Sequence, residues 1–117
     1  MTAFPKTAYV RSQALMRAYR EIPCQACGTS DGSVCGAHSN QAVHGKGRSL
    51  KASDVYAASL CHRCHTELDQ GAFLSREARR QMWQRAHERT VQELVRQKLW
   101  PAAVPLPERF VELMESF

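Results

Sequence analysis

The chain has 117 residues, 44% of them hydrophobic, and a formal net charge of +5; that is enough for one domain (1–117), yet small enough for a bound metal to matter to its stability. No stretch approaches the roughly eighteen apolar residues of a membrane span, and "MTAFPKTAYVRSQALMRAYR" lacks the apolar run of a secretory signal, so we expect a soluble cytoplasmic protein with no membrane partner. In that reducing setting the five cysteines, an odd number, point to metal ligation rather than disulfides.

The charge is uneven. Residues 101–117 carry Arg109 against Glu108, Glu112 and Glu115, a balance of −2 that leaves +7 on residues 1–100. A basic body favours polyanions, with nucleic acid the first partner class and an anionic membrane surface a weaker second.

In chain order, residues 1–23 read as a helical lead-in: Val10, Ala14, Leu15 and Ala18 recur at helical spacing within 8–21, and Pro23 stops the helix. From Cys24 to Asn40, "CQACGTSDGSVCGAHSN" is rich in Gly, Ser, Asp and Cys, as in a metal-bound hairpin turning at "SDGS". Residues 41–54, "QAVHGKGRSLKASD", read as a basic loop, and "VYAASLC" as a short strand leading to Cys61. "HRCHTELDQ" then reads as a helix ended by Gly71.

Residues 73–117 read as C-terminal helices. Ser75 can cap a long one, Glu77 suits its first turn, and Pro101 ends it. Its apolar positions Ala78, Met82, Ala86, Val91, Leu94 and Val95 keep the helical period loosely, opposite an arginine-rich face that is either a phosphate-contacting or a solvated surface. A proline-rich link and a short amphipathic helix with Phe110, Val111, Leu113 and Met114 complete the chain.

Two C-x-x-C pairs, Cys24/Cys27 and Cys61/Cys64, can each supply one knuckle of a tetrahedral thiolate site, which suits a structural Zn²⁺. A rival set, Cys24, Cys27, Cys35 and His38, also has closed-site spacing; on the first reading Cys35 is a small buried strand residue. After four thiolates are assigned, His38, His44, His62, His65, Asp54 and Asp69 remain. His65 and Asp69 share a helix face and can hold a harder divalent ion; a surface ion pair and a capping role are the plainer alternatives.

The series "AHSN…GKGRSLKASD…LCHRCHTELDQG" over residues 24–72 resembles the HNH (ββα-metal) endonuclease family, including its small prophage-encoded members. The resemblance implies an α+β fold: a small zinc-stabilised, treble-clef-like ββα-metal core with flanking N- and C-terminal helices. It implies a DNA-cleaving hydrolase with His38 as general base, Cys24, Cys27, Cys61 and Cys64 on the structural zinc, and His65 on a catalytic Mg²⁺ or Mn²⁺, for which Asp54 or Asp69 is the further candidate ligand. Where the family commonly has an aspartate or histidine before the base, this chain has Ala37, and Asp54 is the nearest counterpart of the asparagine that orients the base. Lys46, Arg48, Lys51 and Arg63 are the candidate phosphate contacts, and a phage recombination setting makes recombination proteins expected partners. The alternative reading is a zinc-stabilised DNA-binding or adaptor module without catalysis.

Overall fold

The computed structural model describes residues 10–41, 52–71 and 74–107. Helix α1 spans Gln13–Ala18 and tightens into a 3₁₀ turn over Tyr19–Glu21. Ser12 sets its start by accepting from the Leu15 amide, so the helix begins later than residue 8. Strands β1 (Cys35–His38) and β2 (Ala57–Leu60) pair antiparallel, with Cys35 opposite Leu60 and His38 opposite Ala57. Helix α2 (His62–Gln70) follows β2 at once, and α3 (Arg76–Arg96) packs back onto the sheet. Strand, strand and helix therefore come in the expected order, in a small α+β fold with a two-stranded sheet.

Small side chains bring the helices close. β2 reads Ala-Ala-Ser-Leu and all four residues are buried. In β1 a Cβ on Gly36 would lie 2.6 Å from the Cδ2 of Tyr19, which is itself 0% exposed, so glycine is needed for the ring to lie on the strand. One apolar cluster joins Val34, Ala37, Leu60 and Leu68 to Trp83 and Ala86 of α3; a second joins Leu15, Tyr19, Ile22 and Val55 to Leu94. α3 spans both clusters, and its 21 residues give it a length of about 32 Å.

The buried positions of α3 are Trp83, Ala86, His87, Thr90, Val91 and Leu94. Three of these are polar or amphipathic because they bond to strands and helix backbone. Trp83 Nε1 donates to the Ala37 carbonyl at 3.0 Å, His87 Nδ1 to the Ala57 carbonyl at 2.9 Å, and Thr90 Oγ1 accepts from the Ser59 amide at 3.0 Å. Trp83 and His87 stack with ring centroids 4.7 Å apart.

One helix end differs from expectation and another meets it by a different route. α3 stops at Arg96 rather than running to Pro101, because Lys98 adopts φ 59° and the amides of Leu99 and Lys98 bond back to the carbonyls of Leu94 and Val95. That is a Schellman closure with lysine where glycine is usual. α2 does end at Gly71, but with φ −63°; glycine serves there because a Cβ would lie 2.3 Å from the Glu67 carbonyl oxygen. The expected helix carrying Phe110, Val111, Leu113 and Met114 lies outside the described residues. No helix of the described residues is long and apolar enough to cross a membrane.

Candidate functional site

The knuckle before β1 closes where the Gly28 amide donates to the Cys24 carbonyl and the Cys24 amide to that of Thr29. Gly28 takes φ 84° to make the turn. The second pair straddles the start of α2, whose first amide, that of His62, donates to Ser33 Oγ at 2.9 Å. The two knuckles thereby meet: the ligand atoms of Cys24, Cys27, Cys61 and Cys64 lie within 4.8 Å of one another, and the Sγ atoms of Cys27 and Cys61 are 3.7 Å apart. A tetrahedral site with Zn–S bonds of about 2.3 Å has an edge of about 3.8 Å. Four cysteines so placed can hold a metal such as zinc.

The electrostatics of the cluster suit a cation. Burial pushes the Cys61 and Cys64 thiols above the usual thiol range. Burial acts on Cys24 in the same direction, but backbone N–H groups of Cys61, Cys27 and Ala26 outweigh it and bring that thiol down to about 6. One thiolate is thus available near neutral pH, and a bound cation would draw out the remaining protons. Arg63 belongs to this cluster: beside the Cys27, Cys64 and Cys61 thiols its guanidinium is held above its ordinary value. Arg63 is not among the residues that line the groove formed by β1, α2 and α3.

The rival ligand set does not assemble, since Cys35 and His38 are engaged elsewhere. Cys35 is half-buried, with Sγ 3.9 Å from His65 Nδ1, so it is a neighbour of the helix histidine rather than inert filling. His38, at the end of β1, has Nε2 2.8 Å from Asp54 Oδ1. Asp54 is buried and also accepts from the Ser12 amide at 2.7 Å (Oδ2) and from Arg11 at 3.2 Å (Oδ1). Toward a carboxylate the ring can only donate, so Nε2 is the nitrogen through which Asp54 orients the imidazole. Nothing in the sequence ties Arg11 and Ser12 to this pair.

β1, α2 and α3 enclose a groove of about 370 Å³. Ala37, His38, Asn40 and Gln41 form one wall, His65, Leu68 and Asp69 the second, and Arg76, Arg79, Arg80 and Trp83 the third. His65 Nε2 and Asp69 Oδ2 are 3.3 Å apart, both groups partly exposed. His38, His65 and Asp69 thus line one groove, and Asp54 reaches it only through its hydrogen bond to His38. The arginines come from α3, whose basic face had a solvated alternative. Lys46, Arg48, Lys51 and His44 lie outside the described residues, and His62 is exposed at the start of α2. In comparisons with family models, curated proteins and solved structures, nothing matches this chain.

Proposed function

We propose that the chain is a metal-dependent endonuclease of the HNH type, hydrolysing DNA phosphodiesters in phage or prophage DNA processing. The observation that carries the reading is the His38–Asp54 pair, with His38 on the wall of the groove that His65, Asp69 and three arginines also line.

Asp54 holds the imidazole in one tautomer, and Nδ1 of His38 takes a proton from water as the resulting hydroxide attacks phosphorus in line. The P–O3′ bond breaks and the departing oxygen takes a proton from solvent water, leaving a 5′ phosphate and a 3′ hydroxyl. His65 and Asp69 fit a divalent ion: a ring nitrogen and a carboxylate oxygen 3.3 Å apart and partly exposed can turn to one centre, leaving positions for water and phosphate. Mg²⁺ or Mn²⁺ held there would supply Lewis-acid neutralisation of charge on the scissile phosphate and the departing oxygen. The cysteine cluster would hold the structural Zn²⁺ and keep α2 and its histidine in register with β1.

A second reading, a zinc-stabilised DNA-binding or adaptor module without catalysis, is favoured by one observation. Among the described residues only the four cysteines gather three or more metal-ligating side chains, and Ala37 offers no ligand beside His38.

A plasmid-nicking assay at low salt in Mg²⁺ and in Mn²⁺ separates the two. The zinc-loaded wild type is expected to cut and His38→Ala, with equal zinc, to fail. A folded, zinc-loaded wild type that cuts neither supercoiled, single-stranded nor branched DNA would overturn the nuclease reading in favour of the binding module.

A further inference from the structure

We infer that the first turns of α3 are a DNA-backbone-binding track, in which Arg79 meets a phosphate inside the groove and Arg76 and Arg80 meet its neighbours at the rim. The inference rests on the reading above for its choice of DNA, but its basis is separate. Arg76, Arg79 and Arg80 stand at i, i+3 and i+4, so they share one helix face, and all three line the groove that His38 and His65 also line.

Arg79 is the telling member. Its Nε is the one buried side-chain nitrogen or oxygen among the described residues with no hydrogen-bond partner, although NH1 of the same side chain reaches the Leu68 carbonyl at 3.4 Å. A guanidinium donor held out of water without an acceptor is costly, and turning the fork toward a phosphate in the groove would supply one. Arg76 has no ion pair or hydrogen bond among the described residues, and Arg80 has only Glu77, at 4.0 Å on an open surface. The groove's acid, Asp69, is already opposite His65. The three arginines thus outnumber the acids of the groove, and the fork of arginine matches phosphate geometry.

Trp83, one turn further along the same face, anchors α3 to β1 through Ala37, which fixes the distance from the track to His38. The track would therefore hold the backbone beside the base rather than merely attract it.

The test is fluorescence anisotropy with a labelled duplex, without added Mg²⁺ or Mn²⁺ so that no strand is cut, over a salt series. Each phosphate contact contributes about 0.9 to the slope of log K against log salt. The triple variant R76Q/R79Q/R80Q is expected to lower the slope by roughly 2 to 3, and R79Q alone to weaken binding about tenfold. Because Arg79 is half-buried, R76Q/R80Q, which alters only exposed side chains, is the fold-safe arm and should lower the slope by about 1 to 2. Arg85, exposed and outside the groove, is the control; R85Q should leave the slope within about 0.3 of wild type.

Folded R76Q/R80Q and triple variants with wild-type slope and affinity would overturn the inference, as would a wild type that does not bind duplex. A wild type that binds through these arginines yet never nicks plasmid supports the track while removing the nuclease. A wild type that nicks, and whose triple variant keeps its affinity and its KM, removes the track and leaves the nuclease standing.

Discussion

Replacing Asp54 with asparagine keeps the shape of the side chain and removes its charge, so it tests the hydrogen-bond network rather than the packing. Asp54 is 7% exposed and accepts from His38, the Ser12 amide and Arg11. An asparagine has one acceptor oxygen. Aimed at His38 and Arg11, it turns its NH₂ toward the Ser12 amide; flipped, it confronts His38 and Arg11 instead. Either way at least one buried donor loses its acceptor, a cost of about 1–3 kcal/mol, and the surviving bonds lose their charge assistance, about 1 kcal/mol more. The sum, about 2–4 kcal/mol, is a large part of the 5–15 kcal/mol typical of such domains, and at about 4 °C per kcal/mol it corresponds to a fall in Tm of roughly 8–16 °C. Thermal unfolding by circular dichroism at neutral pH, with zinc content matched, measures it. Asp69→Asn is the comparison: its i,i+4 pair with His65 is 46% exposed at the carboxylate and should cost less than about 0.5 kcal/mol. A Tm for Asp54→Asn within about 2 °C of wild type would refute the reasoning, because a carboxylate that can be neutralised so cheaply is not holding three part-buried donors.

Cys61→Ser, or exhaustive chelation, is expected to abolish the cooperative unfolding transition, since structural zinc contributes about 10–16 kcal/mol in zinc-finger peptides, as much as the whole stability of a small domain. Far-UV circular dichroism alongside zinc analysis checks this, and a metal-free chain with its native spectrum would contradict it. Tyr19 supplies a pH dependence: burial, then the nearby Asp54 charge, raises its phenol well above the ordinary 10.0. The folded state therefore keeps a proton that the unfolded state gives up, so its contribution to stability is whole below pH about 10 and is lost progressively as the pH climbs beyond that towards the folded value. Absorbance at the tyrosinate band should show this residue titrating only with unfolding; ionisation in the folded chain near pH 10 would place the ring in solvent.

Much of the candidate site was legible because its chemistry is written in short spacings. The two C-x-x-C pairs, the strand ending at His38 and the i,i+4 relation of His65 to Asp69 each follow from local geometry, and the structure assembles them. The partners of Asp54 were not legible, because Arg11 and Ser12 reach it through tertiary packing that no spacing encodes. The core face of α3 was only partly read: the loose period marks Ala86, Val91 and Leu94 but misses Trp83, which packs in an apolar cluster, and His87 and Thr90, whose polar groups bond to backbone. The end of α3 escaped for a related reason, since its left-handed residue is Lys98 and the sequence carries no glycine to announce it.

Residues 10–12 run beside residues 52–54 as a splint. Val10 N–H donates to Ser53 Oγ and the Val10 carbonyl accepts from the Asp54 amide, Arg11 reaches the Ala52 carbonyl, and the Ser12 amide holds Asp54 Oδ2. The far end of the sequence thereby sets the aim of the His38 imidazole, the base of the proposed reaction. Protection of the Ser12 amide from hydrogen exchange becomes a gauge of how often the histidine is correctly presented. If His38 is the proposed base, sequence drift around Arg11 would retune its proton transfer without touching a residue that lines the groove.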